Sequence, residues 1–198
     1  MNIKSLKIIV GSRESLLAKQ HIKIFEDKFF KFFDKSSNLK IEKRFYKTSG
    51  DKFLNKKISD IGNKGLFTKE IDDALISGEI NLGIHSLKDL PTILPKSLKI
   101  GAILKREDYR EVIISNKGFK INDLKCGAVI GTSSIRRKMQ LEKLKRKFVI
   151  KDIRGNIDTR INKVINKKYD AILLAYAGIK RLGITSKFNV IDPRIITP

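Results

Sequence analysis

Ala128-Val129-Ile130-Gly131-Thr132-Ser133-Ser134-Ile135-Arg136-Arg137 is the stretch that decides the fold. Three apolar residues closed by a glycine are too few for a helix and read as a buried strand. Three hydroxyl residues able to cap a helix follow, and helical spacing resumes from Ile135 to Lys147. A strand that passes through a polar turn into a helix is the repeating unit of an α/β sheet, where ligands collect at the carboxyl ends of strands. Free N–H groups at the helix start, the hydroxyls and two guanidinium forks make this turn a candidate anion site. A plain helix cap with exposed arginines is the competing reading. The GxxxxGK[ST] spacing of a phosphate loop is absent.

The alternation repeats on both sides. Strands are expected at Lys7–Val10, Ile41–Tyr46, Ile80–Ile84, Lys99–Leu104, Val112–Ser115, Phe148–Ile153 and Ala171–Ala175. Helices are expected through Ile22, Phe25, Phe29 and Phe32 to near Asp34, over Leu66–Ile76 with Gly78 as its stop, and over Ile157–Asn166. Thr48 to Lys64 is polar and glycine-containing and reads as a mobile loop. The fold class is α/β: two consecutive domains with mainly parallel sheets and flanking helices, 1–102 and 103–198. A cleft between two such domains gathers Ser12–Ser15, His85–Asp89, Gly131–Arg137 and Arg154–Arg160.

Composition narrows the function classes. The 198 residues carry 43 Lys+Arg against 21 Asp+Glu, a formal charge of +22, and 41% are hydrophobic, too many for a disordered polybasic tail. No apolar run reaches the roughly 18–20 residues that span a bilayer. Ile8–Val10 is too short for the core of a secretory leader, so a cytoplasmic, soluble protein is expected. One cysteine, Cys126, forms no intramolecular disulfide and supplies no thiolate cluster, and with two histidines no metal site is expected. The surplus charge alone fits a nucleic-acid binder, yet 32 of the basic residues are scattered lysines, with few aromatics among them, which favours a solvated surface.

The 11 arginines are more informative. Arg13 follows the first strand, Arg154 follows another, and Arg160 comes about a turn and a half later, with Arg181 a weaker member. Together they suit a ligand with several negative groups; surface pairing of Arg154 with Asp152 or Asp158 is the alternative. Lys88-Asp89 places a carboxylate in basic surroundings, where an ionised acid can stabilise a transient cation or steer a proton. Asp89 as a turn cap before Pro91, or paired with Lys88, is the plainer reading.

Read together, the segments resemble the porphobilinogen deaminase (hydroxymethylbilane synthase) family. The resemblance rests on Gly11 through Ala18, Thr48-Ser49-Gly50-Asp51, Gly62 through Glu70, His85 through Pro91, Arg106-Glu107-Asp108, Gly131 through Arg137, Arg154-Gly155-Asn156 and Leu174 through Gly183. It implies tetrapyrrole (haem) biosynthesis: four porphobilinogen molecules condense to hydroxymethylbilane, each losing ammonia, on a covalently held dipyrromethane cofactor. It implies Asp89 as the catalytic carboxylate. Lys88, Thr132, Ser133, Ser134, Arg136, Arg137 and Arg160 are implied to bind the cofactor, and Arg13, Ser15, Lys64, Arg154, Gly155 and Arg181 the substrate chain. It implies two domains like those of type II solute-binding proteins, followed by a third α+β domain that this chain does not reach. The family's cofactor is tethered by a cysteine in that third domain; Cys126 is not at that position, so no covalent attachment is expected here. A separate polypeptide supplying that domain is one expected partner. A non-catalytic module that binds porphobilinogen or dipyrromethane carboxylates is the alternative function, and a basic nucleic-acid binder ranks last.

Overall fold

A computed structural model describes residues 6–33, 39–52 and 65–198. The chain divides into two compact units, Met1–Ile103 and Leu104–Pro198.

The first unit contains β1 (Leu6–Arg13), α1 (Leu16–Phe32), β2 (Leu39–Tyr46), α2 (Ser49–Lys52), α3 (Lys69–Ile76) and β3 (Leu82–Gly83). Its strands lie in the order β2-β1-β3, all parallel, with Arg13 opposite Tyr46 and Gly11 opposite Gly83. Ser15 starts α1 because its Oγ accepts from the Ala18 N–H at 3.3 Å, satisfying one of the donors a helix start leaves open. Ile71, Ala74 and Leu75 fall at three- and four-residue spacing on α3, so one stripe of that helix meets Ile80, Ile9 and Tyr46.

The second unit contains β4 (Glu111–Ser115), β5 (Val129–Gly131), α4 (Ile135–Lys143), β6 (Val149–Lys151), α5 (Ile157–Ile165), β7 (Ala171–Ala175), α6 (Tyr176–Arg181) and β8 (Phe188–Val190). The sheet order is β6-β5-β7-β4-β8; β5 is parallel to β6 and β7, whereas β4 is antiparallel to β7 and β8. Strands β4 and β7 are buried on both faces, and their two-residue period sorts their side chains into two cores. Ile113, Ala171 and Leu173 join Leu141 of α4 on one face. Val112, Ile114, Ile172 and Leu174 join Ile161 and Val164 of α5 and Ile179 of α6 on the other. Each fully buried large side chain contributes about 1.5–3 kcal/mol.

Three expectations need correcting. Lys99–Leu104 is not a strand: no described segment pairs with it, and Ile100, Ile103 and Leu104 are exposed. Its apolar residues suggested extended structure, but a strand also needs a neighbour for its backbone groups. The expected loop from Thr48 begins instead with the short helix α2, and its remainder, 53–64, lies outside the described residues. Helix α4 ends at Lys143, short of Lys147, where the backbone turns to a φ of 46°.

Candidate functional site

In the first unit, the end of β1 delivers Arg13 into a cluster. Asp51, on α2, takes most of its donors: Nη2 lies 2.5 Å from one carboxylate oxygen, and Nε donates to the other at 3.3 Å. Nη1 stands 3.8 Å from Asp89 Oδ2, and the guanidinium lies over the Phe67 ring, 4.5 Å from its centroid. Asp51 is itself fixed by Thr48, whose N–H and hydroxyl donate to Oδ2 at 3.2 and 2.7 Å. Burial pulls the Asp51 pKa up, but the bonds from Arg13 and Thr48 outweigh it, and the net shift is downward from 3.8. The Ser49 N–H and hydroxyl donate to Glu70 Oε1, which ties α2 to α3. Gly50 lets Phe67 approach: a Cβ there would meet the ring at 2.2 Å.

Asp89 and Lys88 lie on a short 3-10 turn, Leu87–Asp89, that follows β3. With Phe67, Asp72, Leu90 and Pro91 they line a cleft of about 850 Å³ within this unit, in the range of small-molecule sites. His85, between β3 and that turn, has its Nε2 buried without a hydrogen-bond partner. Burial pushes its pKa below 6.5 against the pull of Asp72 and Asp89, with Arg13 adding to the downward shift. A histidine depressed in the folded state binds its proton more readily when unfolded. Its stabilisation is therefore present above pH 6.5 and lost as pH falls below that value through the folded pKa. Urea unfolding measured from pH 7.5 to 5 is expected to show this loss, and His85→Gln is expected to flatten it.

The second unit holds the other constellation. Ser134 is the cap of α4, its Oγ accepting from the Arg137 N–H at 3.5 Å. Ser133 Oγ donates to the Ile153 carbonyl and accepts from the Ile153 N–H, both at 3.0 Å, fastening the turn after β5 to the segment after β6. Thr132 is buried, and its Oγ1 accepts from the Ser134 N–H at 3.2 Å. All three hydroxyls thus shape the turn. Arg136 and Arg137 reach the two oxygens of one carboxylate, Glu111, at 2.5 and 2.6 Å. Arg136 also donates to the Thr197 carbonyl, and Arg137 Nη1 to the Leu173 carbonyl at 3.0 Å.

Arg160 donates through Nε to the Gly155 carbonyl at 2.7 Å. Gly155 has a φ of 111°, and a Cβ there would meet Thr159 at 2.9 Å, so glycine is required. Burial, then the like charges of Arg137 and Arg154, push the Arg160 pKa down to about 10. No carboxylate pairs with Arg154 or Arg160 among the described residues, neither Asp152 nor Asp158. A group of partly buried guanidinium groups with one resident carboxylate matches a ligand bearing several acids. Arg181 ends α6, where its charge adds to that of Lys180 on Glu107.

Ser15 is a helix cap in the first unit, and Lys64 lies outside the described residues. Sequence reasoning did not single out Phe67, Asp51 or Glu111. Glu111 carried a usable signal, an acid opening the apolar run Val112–Ile114, because a charge at the head of a buried strand needs a partner.

A family model described as "Porphobilinogen deaminase, dipyromethane cofactor binding domain" matches residues 8–198. Among curated relatives, the porphobilinogen deaminase of Nitratiruptor sp. is 46% identical over 95% of this chain and 59% of its own length. That of Sulfurimonas denitrificans is 42% identical over 94% of this chain and 59% of its own length. The chain thus spans about three-fifths of the relatives it matches. Substrate-binding domain 2 of Lactococcus lactis GlnP is similar at 12% identity, covering 96% of this chain and 77% of that chain with a TM-score of 0.49. No helix among the described residues is long and apolar enough to cross a membrane.

Proposed function

This chain belongs to the porphobilinogen deaminase family, and we propose that it carries the catalytic carboxylate and the cofactor-binding arginines for condensing porphobilinogen into hydroxymethylbilane. The observation that carries this reading is the way Asp89 meets Arg13. The guanidinium gives its short bonds to Asp51 and leaves Asp89 at 3.8 Å, so the Asp89 carboxylate stays available to another positive charge in the cleft.

Porphobilinogen becomes such a charge. When the carbon–nitrogen bond of its protonated aminomethyl group breaks, the electron pair leaves with neutral ammonia and the positive charge stays on the pyrrole as an azafulvenium cation. Asp89 stabilises that cation and accepts from the pyrrole N–H. Phe67, held under Arg13, offers an aromatic face to the ring. Lys88 and Arg13 receive the acetate and propionate arms.

The second unit fits the dipyrromethane cofactor by its donor set. Arg136, Arg137, Arg154 and Arg160 outnumber the one carboxylate held among them, and the remaining charge suits the cofactor's acid arms. When bound, the cofactor supplies the pyrrole carbon onto which substrate is added. The protein's part is to hold those arms, with Arg160 desolvated so that its interaction is strong.

The test is calorimetric titration of the chain with porphobilinogen, followed by ammonia release after adding a polypeptide that supplies the rest of the family's length. Binding and release are expected; absence of binding overturns the reading. Arg154→Ala is expected to cost about 1–3 kcal/mol of affinity, the value of a charged hydrogen bond, with the melting temperature nearly unchanged.

A further inference from the structure

Glu111 opens β4, is 2% exposed, and has both carboxylate oxygens engaged by the two arginines. We propose that Glu111 is the positioning residue of the arginine site: its buried carboxylate sets the Arg136 and Arg137 forks in place for ligand acids. The inference rests on the anion-binding role proposed above for those arginines.

The argument is geometric. Arg137 has an 11% exposed side chain, spends Nη2 on Glu111 and Nη1 on the Leu173 carbonyl, and has its Nε buried without a partner. Arg136 is 43% exposed and bridges Glu111 to the Thr197 carbonyl. A long arginine side chain loses much rotamer freedom when fixed. Here that ordering is supplied by the fold before any ligand arrives, which is what preorganisation means for affinity. Glu111 touches no ligand in this scheme and acts only through the two arginines.

A bare charge count predicts the opposite effect. Removing an acid from a cationic cluster makes it more positive, so charge alone predicts tighter anion binding in Glu111→Gln. Positioning predicts weaker binding, because the forks lose their common anchor. The two accounts therefore differ in sign.

The experiment titrates the chain with a pyrrole bearing acetate and propionate arms but no aminomethyl group, which cannot react. Wild type, Glu111→Asp and Glu111→Gln are compared well below each protein's melting temperature. The expected order of affinity is wild type, then Glu111→Asp, then Glu111→Gln, with about a tenfold loss in the last, equal to about 1.4 kcal/mol. Partial rescue by the aspartate, which keeps the charge but shortens the reach, separates positioning from general loosening. Equal or tighter binding by Glu111→Gln overturns the proposal. Should Glu111→Gln fail to fold, Glu111→Asp decides alone: a weaker affinity supports positioning, and an unchanged one overturns it. A wild-type chain that binds no probe instead refutes the anion-site reading beneath it.

Discussion

Asp89→Asn is expected to lower the rate of ammonia release from porphobilinogen by about 10²–10⁴, while calorimetric affinity for the substrate stays within a few-fold of wild type. The substitution keeps the shape and one acceptor oxygen but removes the charge that faces the developing cation. Loss of a single preorganised electrostatic contact is worth about 10²–10³ in turnover, and loss of a proton-handling group about 10²–10⁴. On the reading proposed above, ground-state binding survives because cations, not Asp89, hold the acid arms of the substrate. The contact with Arg13 is already loose at 3.8 Å, so folding should tolerate its weakening. An Asp89→Asn protein that keeps its rate removes Asp89 from the mechanism. One that loses binding and rate together makes it a binding residue instead.

Arg137→Ala has the second large effect, this time on stability as well as binding. Its removal leaves Glu111, 2% exposed, with one of its two cations gone and the Leu173 carbonyl without its donor. Breaking a buried pair by deleting one partner costs about 3–5 kcal/mol; with Arg136 still in contact, about 3 kcal/mol is expected. Denaturant unfolding of Arg137→Ala against Arg154→Ala checks this. The first should fall sharply in both midpoint and ligand affinity, the second in affinity alone. Equal stability of the two variants would mean that Glu111 does not depend on Arg137.

Much of this was legible in the order of residues. Ala171–Ala175 reads as a strand because five consecutive apolar residues are buried on two faces. The turn Gly131–Arg137 announces itself through hydroxyls set before a helix. The direction of β4 was not legible, because a short apolar run does not say which way it lies against its neighbours. Lys99–Leu104 misled for a related reason: its pattern permits a strand, but pairing is decided by another part of the chain. The pairing roles of Asp51 and Glu111 escaped notice because each acts on an arginine distant in sequence, 38 residues away for Arg13 and 26 for Arg137. The acid at the head of the apolar run Val112–Ile114 shows that Glu111 needs a partner, but nothing local says which arginine supplies it.

The reversed direction of β4 has a consequence of its own. Because the strand runs against β7, Glu111 sits opposite Ala175, the last residue of that strand. Had β4 run the same way as β5 and β7, its opening acid would have been delivered to the far rim, about five residues' length from the arginines. Turning one ribbon end for end gives a residue of the interior an address beside two arginines, so a change at position 111 should be felt at 136 and 137 together.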